Sequence, residues 1–449
     1  MCATLSPNCF LFFQPSSEEG TTLITHEKPA GNPRSSTISA CFNFINSIIG
    51  SGIIGLPYAL NQAGLPFGLL LLIVVAFITD YSIILLIRGG NLSGTSSYQS
   101  LVQNTFGFPG FLILSALQFL YPFIAMISYN ITIGDTLTKV FQRIPGVGPD
   151  HILAERHFVI VLSTLAFTLP LSLYRKIKKL GRVRPIILQL SVACGGFKAI
   201  CKTLCVLPGV PPVDENAWTF AKWNAIQAVG VMSFAFICHH NSFLIYGSLE
   251  QPSLAHWSRV THVSVGSALI ISAAFAVAGY TTFTGYTQGD IFENYCRNDN
   301  LATFGRFCFG LSIITTFPLE FFVTRELSTN AIYSRDLSKA EHVVVTLLII
   351  VVCTSVSLVY DCLGVVLELN GILSATPLIF IIPSVCFLKL STGHLFQGEN
   401  VIPIILVITG LFVMITGLTM TVLYPEDCSH GVEMFYCANA NVSGTVPPA

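Results

Sequence analysis

A glycine-rich interruption near the N-terminus is the first place where the sequence could bind a ligand. Gly50, Ser51 and Gly52 follow Asn46 and precede Pro57 in an otherwise apolar segment. Inside a helix, glycine costs about 1 kcal/mol and proline about 3 kcal/mol relative to alanine, so we expect a break. A broken helix frees backbone N–H groups for a carboxylate and carbonyl groups for a cation. The alternative is close helix packing through small residues.

A second apolar segment is interrupted in the same way. Ser233 and Ala235 lie in its middle, and His239, His240 and Asn241 follow. Paired interruptions in corresponding segments of two halves indicate a transporter binding site. We therefore predict that Ser233 and Ala235 bind substrate together with the glycine-rich break. The histidines are interpreted as a hydrogen-bonded pair near a helix end, or as proton carriers, because histidine titrates near neutral pH.

A third segment carries hydroxyl groups on one helix face. Ser312, Thr315 and Thr316 are spaced three and four apart, which places them on the same side of a helix. Oxygen ligands suit a hard cation, so these residues are candidate sodium ligands. The alternative is that each hydroxyl bonds its own helix backbone.

Acidic residues inside apolar segments are a further signal. They are Asp80, Asp135, Glu320 and Glu368. Charges embedded in a membrane are expensive and are functional candidates by default. Asp135 lies near a predicted helix end, and we expect it to be simply solvated.

About eleven apolar segments must position these residues. The chain is 52% apolar and 10% charged, whereas a soluble domain carries roughly a quarter charged residues. Runs of roughly 20 residues match the hydrocarbon core, and continuous runs favour helices over a barrel. The prediction is an all-α membrane protein. We place its segments at roughly 39–61, 66–88, 110–138, 157–174, 183–208, 223–247, 261–282, 302–324, 342–360, 362–389 and 400–423.

Lysine and arginine placement predicts the orientation. About fourteen of these residues fall on the side of the N-terminus and about six on the other, which indicates a cytoplasmic N-terminus. Residues 1–38 are then a disordered cytoplasmic tail, 39–423 the transporter domain, and 424–449 an extracellular or lumenal tail. That last tail carries a glycosylation sequon at Asn441. It also holds Cys428 and Cys437, which could pair in an oxidising compartment.

The fifth segment, 183–208, fits a membrane poorly. It contains Arg184, Lys198 and Lys202. A charge at a helix centre costs about 2.5–3.5 kcal/mol on insertion scales. Either this helix is buried within protein, or the segment is not a regular span.

Several strings together resemble the sodium-coupled neutral amino acid transporters of the amino acid/auxin permease superfamily. They are Asn46 to Tyr58, Tyr98 to Gly107, Ala235 to His239, and Asp361 to Ser384. The resemblance covers about residues 36–425. It implies the inverted-repeat fold of bacterial amino acid symporters, with helices one to five and six to ten as the repeats. The fifth segment differs from the family's apolar fifth helix. An alternative exon or a gene-model error would explain this difference.

The resemblance also implies roles for individual residues. Asn46 matches the family's sodium-site asparagine on the first helix. Either Thr315 or Thr316 matches its hydroxyl ligand on the eighth helix. The stretch from Gly50 to Gly52 matches its carboxylate cradle.

The predicted function is sodium-dependent transport of small neutral amino acids, with or without proton antiport. The expected partners are this substrate, sodium, protons and the lipid bilayer; a net charge of −1 does not indicate nucleic acid. The plasma membrane is favoured over an endolysosomal membrane. An amino-acid sensor without net flux is the alternative. The helix count argues against a heptahelical receptor. An enzyme is not indicated, because no nucleophile, base and orienting residue fall on facing positions.

Overall fold

The computed structural model describes most of the chain as helices. Within the described residues no strand is formed, so the predicted all-α class is confirmed. The described residues are 36–148, 150–174, 216–250, 252–332, 337–393, 398–424, 428 and 431–438. The fifth predicted segment and Asn441 lie outside these ranges, as does nearly all of the predicted N-terminal tail.

Fifteen α-helices are labelled here in chain order. They are α1 Thr37–Ile48, α2 Leu56–Ala63, α3 Leu65–Ser93, α4 Tyr98–Phe141, α5 Arg156–Ser163, α6 Leu169–Ser172, α7 Ala225–Phe236, α8 His239–Ser248, α9 Leu254–Phe283, α10 Asn300–Ile332, α11 Lys339–Val359, α12 Leu363–Asn370, α13 Ile382–Leu390, α14 Val401–Leu423 and α15 Phe435–Ala438. Short 3₁₀ turns occur at Ser51–Gly55, Ile152–Ala154, Thr284–Tyr286, Ile291–Asn294 and Gly398–Asn400. Single π turns occur at Thr164–Thr168, Gly371–Ala375 and Pro377–Ile381.

Within the described ranges, eight helical stretches are long and apolar enough to cross a membrane. The pair α1 and α2, bent by 48°, makes a ninth if it counts as one span. The stretch Arg156–Ser172 is a shorter apolar helix at the predicted fourth segment. Every predicted segment except the fifth therefore coincides with a described helix.

The third span begins earlier than predicted. Helix α4 starts at Tyr98, where the Ser97 side chain accepts a hydrogen bond from the backbone N–H of Ser100. Gly107 then leaves the helical conformation, with φ 71° and ψ −161°. The Tyr98 hydroxyl donates to the carbonyl of Leu378 at 3.0 Å. The cap and the tyrosine contact stabilise this first section of the helix, and hydropathy detects neither of them.

The tenth span is irregular where it meets the sixth. A Cβ atom on Gly371 would lie 1.8 Å from the carbonyl oxygen of Gly230, so only glycine fits there. Gly371 also begins the first of the two π turns that separate α12 from α13. Such π turns are frequent at functional sites.

The predicted disulfide is wrong in its pairing. Cys437 bonds to Cys296 and Cys428 bonds to Cys362. The C-terminal segment packs onto the connection before α10, where the Tyr436 hydroxyl donates to the carbonyl of Asn294 at 2.7 Å. This packing brings Cys437 to a partner far away in sequence rather than to its neighbour in the tail.

Candidate substrate and ion site

The two predicted interruptions lie against each other. Helix α1 ends at Ile48, and Gly50 has an extended backbone, with φ −114° and ψ −154°. A Cβ atom on Gly52 would lie 2.8 Å from the Cα atom of Ala235 and 3.1 Å from its Cβ atom. The close approach of the first and sixth spans therefore requires glycine at position 52.

The sixth span is itself broken. Helix α7 ends at Phe236, and Ile237 is extended, with φ −67° and ψ 123°. Cys238 has φ −145° and ψ 9°, and α8 begins at His239. Ser233 and Ala235 thus lie in the last turn of α7, directly before the break. Neither Ile237 nor Cys238 is a helix breaker, so sequence alone gives no local reason for the break at these two residues.

Broken helices leave backbone groups available at the centre of the protein. The last carbonyl groups of a helix and its first N–H groups have no partner within that helix. The C-terminal ends of α1 and α7 carry partial negative charge, which suits a cation or an amino group. The start of α2 carries partial positive charge, which suits a carboxylate. These are the two charged groups of a free amino acid.

Hydroxyl groups surround the paired breaks. Ser51 donates to the hydroxyl of Tyr129, on α4, at 3.2 Å. The Oγ atoms of Ser233 and Ser312 are fully buried and have no hydrogen-bond partner among the described residues. Buried hydroxyls normally have partners, so these two are candidates to contact a ligand or an ion.

Two tyrosines of α4 were missed by the sequence analysis. The Tyr121 ring lies 5.7 Å from the Phe234 ring and 6.0 Å from the His240 ring. Its carbonyl accepts a hydrogen bond from Asn370 at 3.1 Å. Tyr129 contacts Ser51, as described above. The available signal was a pair of polar aromatic residues within one apolar run.

The two threonine hydroxyls of the candidate ion site bond their own helix. Thr315 and Thr316 both donate to the carbonyl of Ser312, each at 2.8 Å. Both threonine hydroxyls therefore donate their protons to the helix backbone, as the alternative interpretation predicted. Lone pairs on both oxygens still allow a cation to be coordinated. Thr316 is buried and Thr315 is half-buried.

Asn46 lies half-buried in the last turn of α1, next to the glycine-rich break. Its neighbour Ser47 accepts a hydrogen bond from Asn241 at 2.7 Å. This bond ties the end of α1 to the first turn of α8. The first and sixth spans are thus joined on both sides of their breaks.

The two histidines point to different neighbours. His239 is buried, and its Nε2 atom forms a 2.6 Å hydrogen bond with Ser82 of α3. His240 is exposed and lies beside Tyr121.

The acidic residues have four different environments. Glu368 is fully buried and accepts hydrogen bonds from several helices. Asp80 pairs with His262 at 2.6 Å, and Glu320 is half-buried on α10. The expectation for Asp135 is wrong, because it is buried and pairs with Arg156 at 2.5 Å. The start of α5 covers the helix surface that was expected to face water.

A buried charged cluster lies on the connection between α9 and α10. Burial and the nearby Glu293 carboxylate raise the pKa of Asp290 to about 7. Lys139 donates to the Glu293 carbonyl at 3.2 Å. Arg306 donates to the carbonyl groups of Phe292 and Tyr295. These contacts hold the connection against α4 and α10.

Comparison with known proteins identifies the family. The family model described as "Transmembrane amino acid transporter protein" matches residues 33–423. A Danio rerio protein named "Putative sodium-coupled neutral amino acid transporter 11" is 65% identical and covers 96% of each chain. A Homo sapiens protein of the same name is 58% identical, over 86% of this chain and 95% of its own.

A solved structure has the same fold. The crystal structure of MhsT in complex with L-phenylalanine matches with a TM-score of 0.56 and 14% identity, over 87% of this chain and 99% of the other. The predicted all-α, broken-helix transporter fold is thereby confirmed, and the relatives confirm the resemblance to the sodium-coupled neutral amino acid transporters. The protein belongs to the family of transmembrane amino acid transporter proteins.

Proposed function

We propose that this protein is a sodium-dependent secondary transporter of neutral amino acids. The observation that carries the proposal is the contact of two broken spans, with Gly52 against Ala235. Transporters of this architecture bind substrate near the membrane midplane at such breaks. The names of the relatives refer to sodium and neutral amino acids, which supports the same choice here.

The substrate is held by backbone and small side chains. Its carboxylate binds the backbone of Gly50, Ser51 and Gly52, at the start of the 3₁₀ turn that leads into α2. The N–H groups of Ser51 and Gly52 are the main donors, because the Gly50 N–H already donates to the Ile48 carbonyl at 2.8 Å. Its amino group binds free carbonyl groups near Ser233 and Ala235, at the negative end of α7. The L-phenylalanine named with MhsT is a neutral amino acid, which supports this class of substrate. The small residues at the breaks leave the substrate side chain to contact α4.

Sodium binds between the first and eighth spans. Asn46 supplies an amide oxygen, and Ser312, Thr315 and Thr316 supply oxygens from α10. The buried Ser312 hydroxyl, which has no hydrogen-bond partner among the described residues, supports a ligand there. Sodium binding then favours the conformation in which α1 and α10 are close, because a ligand shifts a population by its differential affinity. The proposal also includes antiport of protons and a location in the plasma membrane.

Uptake measurements test the transport proposal. Cells expressing the protein should accumulate members of a panel of radiolabelled neutral amino acids, and replacing sodium by choline should abolish this uptake. Unchanged uptake in choline would overturn sodium coupling. Stabilisation of the purified protein by an amino acid, without uptake in any condition, would support the sensor in place of the transporter. Surface biotinylation distinguishes the plasma membrane from an internal one.

A further inference from the structure

A buried carboxylate joins four spans. Glu368, on α12, is fully buried. Its Oε1 atom accepts from the Tyr58 hydroxyl at 2.9 Å and from the Gln62 amide at 3.1 Å. Its Oε2 atom accepts from the Gln227 amide at 3.3 Å and from the Thr421 hydroxyl at 3.4 Å. These four donors come from α2, α7 and α14, and we call the five residues the Glu368 cluster.

The two amides of the cluster each leave an oxygen unused. The Oε1 atoms of Gln62 and Gln227 are buried, and neither has a hydrogen-bond partner in the described part of the chain. Buried polar atoms normally have partners, so two such oxygens beside one carboxylate require an explanation. Rotating an amide by half a turn exchanges its oxygen and nitrogen with almost no change in shape.

The cluster can therefore satisfy two protonation states of Glu368. When the carboxylate is charged, both of its oxygens accept, and both amides present nitrogen. When a proton binds, one carboxyl oxygen becomes a donor and needs an acceptor. A rotated Gln62 or Gln227 provides that acceptor with an oxygen that otherwise lacks a partner.

We propose that Glu368 is a proton-binding site that couples protonation to the contact between α12 and the broken spans. This inference rests on the proposed transport function and names a group that would carry its proton. The proton comes from water on the side of the two disulfides, since Cys362 directly precedes α12. No bond other than the O–H bond forms or breaks.

Protonation changes how strongly the spans are joined. Hydrogen bonds to a charged carboxylate are stronger than those between neutral groups. The charged state therefore holds α2 and α7, which are parts of the two broken spans, firmly against α12. The protonated state is neutral and loses at least one of the four donated bonds, so the contact weakens.

Other titratable groups near the cluster are few in the described structure. Tyr58 contacts Glu368 from α2, whereas the contacts from α7 and α14 are the amide of Gln227 and the hydroxyl of Thr421. Tyr360 and Asp361 precede α12. Burial raises the pKa of Tyr360, and the nearby charges of Glu368 and Asp361 add to this effect.

Infrared spectroscopy tests the proton site without a transport assay. The purified full-length protein in lipid nanodiscs is titrated between about pH 5 and pH 9, where perturbed carboxyl groups change charge. The wild type should show the C=O stretch of a protonated buried carboxyl that disappears as pH rises. Glu368→Gln should lose this band, and Asp361→Asn, which removes a nearby carboxyl outside the cluster, should keep it. A band unchanged in Glu368→Gln would overturn the proposal.

A double amide variant provides a second spectroscopic test, which also serves if Glu368→Gln does not fold. Gln62→Leu with Gln227→Leu should move the pH at which the band disappears by about one unit, because both partners that adapt to the proton are lost. If the band disappears at the same pH as in wild type, the proposed role of the amides is overturned.

Uptake at varied external pH tests the coupling. Using whichever radiolabelled amino acid the panel identifies, wild-type uptake should depend on pH, and uptake by Glu368→Gln should not, while its sodium dependence remains. A pH profile identical to wild type would overturn coupling at Glu368. Absence of uptake in every variant would instead count against the transport function, while the infrared titration would still decide whether Glu368 binds a proton.

Discussion

At the residue scale, the sodium proposal depends on single oxygen atoms. We expect Asn46→Ala and Thr316→Ala each to raise the sodium concentration for half-maximal uptake about tenfold, if the lost ligand contributes about 1.4 kcal/mol. The Thr316 hydroxyl donates to the Ser312 carbonyl, which leaves its lone pairs for the ion. The measurement is a sodium titration of amino acid uptake, normalised to surface protein.

The matched control for Thr316→Ala lies on the same helix. Thr324 is buried, and its hydroxyl donates to the Glu320 carbonyl at 2.9 Å, the same kind of backbone bond. Thr324→Ala should lower protein yield without moving the sodium curve. A Thr316→Ala curve that matches this control would remove Thr316 from the site, and Thr315→Ala would then be the next variant to measure.

Gly52 is the residue at which added volume should be tolerated least. The alanine methyl of Gly52→Ala would overlap the Ala235 backbone at 2.8 Å and the Phe234 ring at 3.1 Å. Forcing such an overlap costs about 1–3 kcal/mol and pushes the two breaks apart. We expect uptake per surface molecule to fall at least tenfold.

Gly266→Ala is the control for this glycine. Gly266 lies in α9, and a Cβ atom there would have no neighbour within 4 Å. Alanine should stabilise the helix by about 0.4–1 kcal/mol and leave uptake unchanged. Equal uptake by the two variants would show that the contact between the breaks is not needed for transport.

At the element scale, the sequence predicted the spans well because they are continuous apolar runs. The break at Gly50 was also predicted, since glycine and proline weaken a helix locally. The break at Ile237 and Cys238 was located only through Ser233 and the polar residues nearby. Both residues are compatible with a helix, so its termination there is a consequence of packing between spans.

The remaining differences also come from tertiary packing. Asp135 was expected in water because it lies near a helix end, but α5 covers it and provides Arg156. The first π turn of the tenth span begins at Gly371, which lies against Gly230, and this contact between spans is not visible in the local sequence. The position of Tyr129 against Ser51 depends on how α4 crosses the first span.

The connection between α9 and α10 should make stability depend on pH. The pKa of Asp290 is raised from 3.8 to about 7, so the folded protein binds this proton more tightly than the unfolded chain. The contribution of Asp290 to the free energy of unfolding is therefore largest below about pH 4 and falls as pH rises toward 7. Asn at this position can still accept the 2.8 Å hydrogen bond from the Phe292 N–H. We expect Asp290→Asn to stabilise the protein at pH 8 by roughly 1–3 kcal/mol.

Thermal unfolding in detergent, measured at several pH values, checks the Asp290 prediction. The melting temperature of wild type should fall between about pH 5 and pH 8 relative to Asp290→Asn. Asp299→Asn is the control. Asp299 lies at the end of this connection and also accepts backbone N–H groups at 3.1 Å, from the first turn of α10, but it is partly exposed. Parallel curves for wild type and Asp290→Asn would show that Asp290 keeps one charge state over this range.

At the scale of the whole molecule, the orientation can be tested at the C-terminus. Both disulfides join the C-terminal segment to connections between spans, and disulfides form in oxidising compartments. We expect Asn441 to be glycosylated on the same side. Glycosidase should increase the gel mobility of wild type and leave Asn441→Gln unchanged. Asn91→Gln is the control, because Asn91, Leu92 and Ser93 form a second sequon, on the predicted cytoplasmic side, where no glycan is expected. Identical mobility of wild type and Asn441→Gln would contradict this topology.

The disulfide pairing itself is a prediction about the fold of the whole chain. Cys428 and Cys437 are close in sequence, but each bonds to a connection that precedes a span, at Cys362 and Cys296. Digestion without reductant, followed by mass spectrometry, should therefore yield two cross-linked peptides that reducing agent separates. A peptide pair joining Cys428 to Cys437 would contradict the arrangement.

The Cys296–Cys437 bond should contribute to stability because it closes a long loop. The two residues are 141 apart, and such cross-links typically stabilise by about 2–4 kcal/mol by restricting the unfolded chain. Cys437→Ala should lower the melting temperature measured in detergent. Added reductant should lower that of wild type at least as far, because it also breaks the Cys362–Cys428 bond. Cys308→Ala, which removes a half-buried cysteine that is in neither disulfide, should respond to reductant as wild type does. A Cys437→Ala protein as stable as wild type would mean that the C-terminal segment is held by its side-chain contacts, among them the Tyr436 hydrogen bond to Asn294, rather than by the covalent bond.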